Sequence, residues 1–374
     1  MDPIPDRILS DIIDHTVDLH RYEAGLQKSI RAMLQKLMKD LTKELVESGI
    51  DTTRTDWQRS RLTSLLKQAT GLIDDGYDGI ENLITEELGG MIEVTSEAVI
   101  SACNAAIGAE LMLPVKWTQE MLHKLVDGTL IEGAPSSEWW SRQADDLKQA
   151  FADQMRQGML RGENLTQLRD RIMGQDIPGV NAVGKVDLRT VPKENRGLYW
   201  KARRNAEALV RSTVISTANA AHHAAYEANA DIMAGEAWSA CLDLRTCLEC
   251  GEMDGQSWEW GTPHPMPALH FSCRCSLLPL TKSFEQLARE SHGNSHIAKV
   301  LDDIPEANRA SMGGPVSGKL TYKDWFSRLS ESRQREILGP GRFDLYKKGL
   351  IGYSDMIGQN GNELTLAELR DKLT

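Results

Sequence analysis

Five of the six cysteines in this sequence fall between Cys241 and Pro279, in CLDLRTCLECGEMDGQSWEWGTPHPMPALHFSCRCSLLP. Cys247 and Cys250 form a C-x2-C pair, Cys273 and Cys275 a C-x-C pair, and His270 stands three residues before the second pair. Two thiolates across a tight turn can hold one ion together, and a second pair completes a tetrahedron, so the spacing reads as a structural zinc site. The first ligand set is Cys247, Cys250, Cys273 and Cys275. His270 is the alternative ligand, or a hydrogen-bonding neighbour of one. A disulfide cluster, plain buried thiols or a relic site held by packing are the competing readings. No signal-peptide pattern opens the sequence, and a cytosolic chain keeps its thiols reduced.

Catalytic zinc asks for more. Nucleobase deaminases carry H-x-E and P-C-x-x-C around the metal. Here the first pair follows Arg245-Thr246, and His270 is followed by Phe271-Ser272, with no glutamate beside it. The deaminase motif is absent.

The ordered string Asp243, Arg245, Thr246, Cys247, Cys250, then Asp254-Gly255, then Pro265, Pro267, His270, Cys273, Arg274 and Cys275 resembles the phage head morphogenesis family, the Mu F-like minor head proteins. The resemblance extends to the helix–Arg161-Gly162–short helix pattern and to Val210-Arg-Ser-Thr-Val before an alanine-rich stretch. It also takes in the C-terminal string from Tyr322 to Gly349 with Leu364-Thr-Leu-Ala-Glu-Leu-Arg, and so covers roughly residues 138–374. It implies a virion component rather than an enzyme, placed in the capsid interior near the portal and in the host cytoplasm during assembly. Its implied partners are the portal protein and the capsid or scaffold proteins, with a role in procapsid assembly and DNA packaging or delivery.

The elements that must position the cysteines are mostly helical. The chain has 374 residues, 41% of them apolar, and a formal net charge of −11. That length suggests two or three domains, and the acidic balance argues against nucleic-acid binding by bulk electrostatics. The most apolar run, Ala98 to Val115, is broken by Ser101, Asn104 and Glu110, so no membrane-spanning helix is expected. Leu26, Ile30, Met33, Leu37, Leu41 and Leu45 recur at helical spacing, as do Leu62, Leu65, Ala69, Leu72, Gly76, Ile80 and Leu83. Gly89-Gly90 reads as an interruption before a third run, Met91 to Met112, which holds Cys103. After Glu132-Gly-Ala-Pro, Ser136 or Ser137 should cap a helix striped by Trp140, Ala144, Leu147, Phe151, Met155 and Met159. Asn164 or Thr166 opens a shorter one.

Residues 174–197 read as a loop, and positive charge gathers there. Between Lys185 and Arg211 lie eight basic residues, including Arg189, Lys201, Arg203 and Arg204, against three acidic ones. This is either a solvated helix start or a surface for packaged DNA or an acidic partner. The next helix, Trp200 to Ile232, presents Val210, Val214, Thr217, Ala221, Ala224 and Ala228 on one face. His222 and His223, about 100° apart on it, are not assigned to the metal.

The cysteine region itself should be β and turn. Ala237 to Ala240 enters the C-x2-C turn, Ser257 to Trp260 forms a hairpin, and Leu269 to Leu280 is a last strand carrying Cys273 and Cys275 on one face. Arg245 and Arg274 lie near Asp243 and Asp254 in the string, which suggests internal ion pairs. Thr321-x-x-Asp324 and Thr365-x-x-Glu368 are helix-start patterns of the tail. The expected architecture is mainly α (α+β): an N-terminal helical region (1–130), a central helical region (136–236), a zinc-stapled β module (237–282), and a connector with a helical C-terminal tail (283–374). A phage minor head protein is the leading functional expectation. A virion-packaged metal-dependent enzyme or toxin, and a DNA-binding module, are the alternatives.

Overall fold

The computed structural model describes residues 6–49, 58–107, 112–174, 197–282, 308–311, 314–317, 320–358 and 363–373. The protein is mostly helical, with a small β module and a helical C-terminal region. Among the described residues, no helix is long and apolar enough to cross a membrane. The chain divides into two compact units that interleave along the sequence: residues 21–89 with 126–213, and residues 1–20 with 90–125 and 214–374.

Helix α1 (Asp6–Glu47) and helix α2 (Gln58–Ile107) run through both units. In the unit of residues 21–89 and 126–213, Leu26, Ile30, Leu34, Leu37, Leu41 and Leu45 of α1 are buried, repeating every three or four residues as an apolar stripe requires. A Cβ on Gly76 of α2 would stand 3.1 Å from the Leu37 side chain, so the two helices meet closely there. After α3 (Gln119–Gly128), a two-stranded ribbon of β1 (Leu130–Ile131) and β2 (Ala134–Pro135) leads into α4 (Ser136–Leu160). Neither Ser136 nor Ser137 caps α4. Ser136 is its first helical residue, and Pro135 holds the N-cap with no side-chain hydrogen bond. Trp140, Leu147, Phe151 and Met155 form its buried face. Asn164 caps α5 (Leu165–Met173) through a reciprocal pair with Gln167.

Gly89-Gly90 does not break α2. Buried Ile84, Leu88, Met91, Ile92 and Thr95 flank the pair on one helical face, and that burial outweighs the ~1 kcal/mol propensity cost of a glycine. The pair falls where the chain passes from one compact unit to the other.

In the unit of residues 1–20, 90–125 and 214–374, the second half of α6 (Leu198–Glu227) is the spine. The helix ends at Glu227, short of the expected Ile232. Its buried face turns from Val214, Thr217 and Ala221 to Ala225 and Tyr226, leaving Ala228 exposed. Strand β3 (Met233–Ser239) is the centre of an antiparallel sheet ordered β4-β3-β5, with β4 (Ser257–Glu259) on one edge and β5 (Ser276–Thr281) on the other. Residues 257–260 therefore pair with β3 and not among themselves. A short helix, α7 (Leu248–Met253), lies between β3 and β4. β6 (Asn308–Ser311) and β7 (Gly314–Ser317) make a separate hairpin.

The tail helices at Tyr322–Ser327 and Leu366–Asp371 are capped by Thr321 and Thr365, as their sequence patterns indicate. The intervening helix, Glu331–Lys347, kinks at Gly339 before Pro340. These elements bury Trp325, Phe326, Phe343, Tyr353 and Leu369 together with Leu242 and Leu248 of the β module. Gly251 is needed at this contact: a Cβ there would stand 2.3 Å from the Tyr353 hydroxyl and 2.9 Å from the Tyr322 ring.

Candidate metal centre

Each pair of cysteines is set by its own local structure. Cys247 is the N-cap of α7, with extended backbone and its sulfur accepting the Cys250 N–H at 3.3 Å. One helical turn then brings Cys250 back to the same end. Cys273 and Cys275 do not lie on a strand face, because β5 begins only at Ser276. The preceding residues form a turn, with Ser272 at φ 65° and the Cys273 N–H bonded to the His270 carbonyl. Helix α6 secures this turn through two polar side chains. Asn219 donates to the Cys275 carbonyl at 3.1 Å and accepts from the Leu277 N–H at 2.9 Å. Ser216 accepts the Ala268 N–H at 3.2 Å. Sequence reasoning missed both. The available signal was a polar residue on an otherwise alanine-rich face.

All five expected donors come together, in two groups that share Cys250. Cys247, Cys250 and His270 form one group, and Cys250, Cys273 and Cys275 the other, each with its ligand atoms mutually within 4.8 Å. His270 Nε2 lies 3.2 Å from Cys247 Sγ and 3.3 Å from Cys250 Sγ, and Cys250 Sγ lies 3.8 Å from Cys273 Sγ. In a tetrahedron with Zn–S bonds of about 2.3 Å, neighbouring sulfurs stand about 3.8 Å apart. His270 Nδ1 is 3.0 Å from the Phe271 carbonyl. A carbonyl only accepts, so Nδ1 carries the proton and the Nε2 lone pair faces the thiols. Each group of three donors thus fits zinc in chemistry and spacing.

The electrostatics have the same origin. Cys250, Cys273 and Cys275 are buried. The hydrogen bond from Cys250 and the neighbouring His270 lower the Cys247 thiol to about 5, while the Cys247 contact raises His270 to about 9. Cys250 is driven upward by hydrogen bonds to the other three thiols. Thiols this close cannot all ionise without a cation among them.

Around the centre, the four expected ion-pair residues separate. Arg274 forms a paired contact with the Asp243 carboxylate, its Nη2 lying 2.6 Å from Oδ1. Burial pushes the Asp243 carboxyl up, but the Arg274 hydrogen bonds outweigh it and hold the group below its ordinary value. Asp254 has a different task from the one expected. Its Oδ1 accepts the Ala240 N–H at 2.6 Å and its Oδ2 the Tyr322 N–H at 2.7 Å. Arg245 is exposed and pairs with no carboxylate among the described residues; only its backbone N–H engages Asp243. Both contacts are to backbone donors that a carboxylate buried at the junction with the tail must satisfy.

Of the basic stretch, Lys185 and Arg189 lie outside the described residues. Arg203 is paired with Glu207, which also binds Arg31, and Arg211 is paired with Glu23. Lys201 and Arg204 are exposed. His222 and His223 diverge as expected. His222 is buried beside His15 and Tyr226, and burial lowers it to about 3. Neither histidine belongs to the cysteine centre.

Residues 149–278 match the family model described as Phage Mu protein F like protein. This segment is similar to that family. It contains α6, the β3 and β4 strands and every donor of the metal centre. The match supports the phage head morphogenesis family that the cysteine string resembles, and hence a phage head protein in general terms. That family is a structural one, not known for enzymatic activity. No curated protein and no solved structure matches the chain.

Proposed function

We propose that the protein is a minor head protein that binds the portal or the inner capsid and assists procapsid assembly and the packaging or delivery of DNA. The observation that carries this reading is the Mu F-like match, which encloses the complete cysteine string. The centre is a structural zinc site in which His270 joins Cys247 and Cys250, and Cys273 or Cys275 supplies the remaining donor. His270 enters the set because its tautomer is fixed with Nε2 toward two thiols. Bound zinc would supply folding free energy on the order of 10 kcal/mol to the β module. A closed donor set of this kind leaves no ligand position for a reacting water, which favours recognition over turnover.

Co-expression with the portal and coat proteins of a phage encoding the chain tests the assignment. The chain should copurify with the portal or with procapsids, and Cys250→Ser should abolish that association. Portal complexes and procapsids that assemble normally and never retain the chain would refute it. Metal-dependent hydrolysis of protein or nucleic acid by the purified chain would favour the packaged-enzyme alternative instead.

A further inference from the structure

A second group of donors gathers around a buried carboxylate, away from the cysteines. Glu236 of β3 is 1% exposed. His223, on the last turns of α6, places Nδ1 3.1 Å from both of its oxygens. His264, in the chain between β4 and β5, places Nε2 3.0 Å from Oε2, with a side chain only 8% exposed.

The tautomer of His264 is settled by its other nitrogen. Nδ1 lies 2.8 Å from the Thr262 carbonyl, which can only accept, so Nδ1 carries the proton. A neutral His264 therefore presents a lone pair at Nε2. That buried nitrogen has no aligned hydrogen bond, although the Glu236 oxygen is 3.0 Å away. Distance and direction disagree here, and the direction is the more informative. Two donor atoms about 3 Å apart that do not point at each other stand as neighbouring ligands of one cation do. Metal bonds of about 2.0–2.1 Å in a tetrahedron separate neighbouring nitrogen and oxygen ligands by about 3.3 Å.

We propose that Glu236, His264 Nε2 and His223 Nδ1 form a second metal site, for a divalent first-row transition ion such as zinc. Two imidazoles and one carboxylate suit such ions better than magnesium or calcium, which prefer oxygen ligands throughout. Glu236 is the shared ligand. The two histidines are each close to it but are not mutually within the 4.8 Å spacing of the cysteine groups. His223 is 38% exposed, and the Nδ1 proton it shares with the Glu236 carboxylate is given up when the metal binds. Its ring packs on Trp260 at 5.3 Å, and the His264 ring stacks on Trp258 at 5.0 Å and 13°. Those contacts orient the imidazoles and supply a fluorescent reporter. Three protein ligands leave one position for water, unlike the closed cysteine set.

The test is titration of the full chain, first stripped by a chelator, with cobalt(II). Cobalt on cysteine shows thiolate charge-transfer absorption, whereas cobalt on imidazole and carboxylate does not. The parent chain should bind one equivalent beyond those accounted for by the thiolate band, and that ion should quench tryptophan fluorescence. Glu236→Gln and His264→Gln should each lose the extra equivalent and the quenching while keeping the thiolate band. His223→Gln, at a half-exposed position, should weaken the extra ion at least about tenfold, the size of loss seen when groups supporting a metal are removed. A parent chain with no cobalt beyond the thiolate-bound ion overturns the proposal. So does a His223→Gln variant that keeps the extra ion at parental affinity. The extra equivalent is counted in the same way if the cysteines bind nothing.

Discussion

Asp254 Oδ2 accepts the backbone N–H of Tyr322 at 2.7 Å, across 68 positions of sequence, while Oδ1 accepts that of Ala240 at 2.6 Å. One buried carboxylate thereby ties the end of β3 to the first tail helix. Asparagine cannot accept at both positions, since its amide nitrogen would meet one N–H with another donor. Asp254→Asn should cost about 1–3 kcal/mol. Hydrogen exchange should rise first at the amides of residues 322–326, and equal protection in the variant would refute the role of this tie.

The Asp243–Arg274 pair predicts an acid-sensitive contribution. The folded carboxyl lies below its ordinary value, so its stabilising effect is present above the usual carboxylate range near pH 4 and is lost as pH falls through the depressed value. Asp243→Asn should therefore destabilise the protein by about 2 kcal/mol at neutral pH and by progressively less in acid. Denaturant unfolding of both proteins at several pH values checks this. A difference that does not change with pH would mean that packing, not charge, is responsible.

His270 decides between the two ligand sets. With its Nε2 at 3.2 and 3.3 Å from two thiols, His270→Ala should lower zinc content and destabilise residues 240–280, while His270→Cys should retain the ion. Elemental analysis after dialysis in reducing buffer is the measurement. Full zinc retention by His270→Ala would return the site to four cysteines.

Of the described basic residues between Lys185 and Arg211, Arg203 and Arg211 are held in ion pairs, while Lys201 and Arg204 are exposed. Lys201→Ala with Arg204→Ala should leave DNA affinity and its salt dependence unchanged. Arg203→Ala should instead cost about 0.5–1 kcal/mol of stability through loss of its pair with Glu207. A flattening of the salt slope by roughly 0.9 for each lost phosphate contact would restore the DNA-binding reading.

What the sequence by itself determined is what neighbours within a turn or two can enforce. The stripes of α1 and α4, the caps at Asn164, Thr321 and Thr365, and the return of Cys250 to Cys247 all depend on spacings of three or four residues. The ordered cysteine string was legible for the same reason, and it pointed to the Mu F-like family that the match over 149–278 supports. Tertiary structure decided the rest. Gly89-Gly90 stays helical because apolar residues on both sides are buried. Asp254 accepts from two backbone donors far apart in sequence, and Asn219, 56 positions from Cys275, holds the turn that presents the second thiol pair. His223 and Glu236 meet His264 only because β3 turns back along α6 and the loop after β4 closes over it. Such pairings carry no local signature, since a buried polar group takes whichever partner the fold brings within reach.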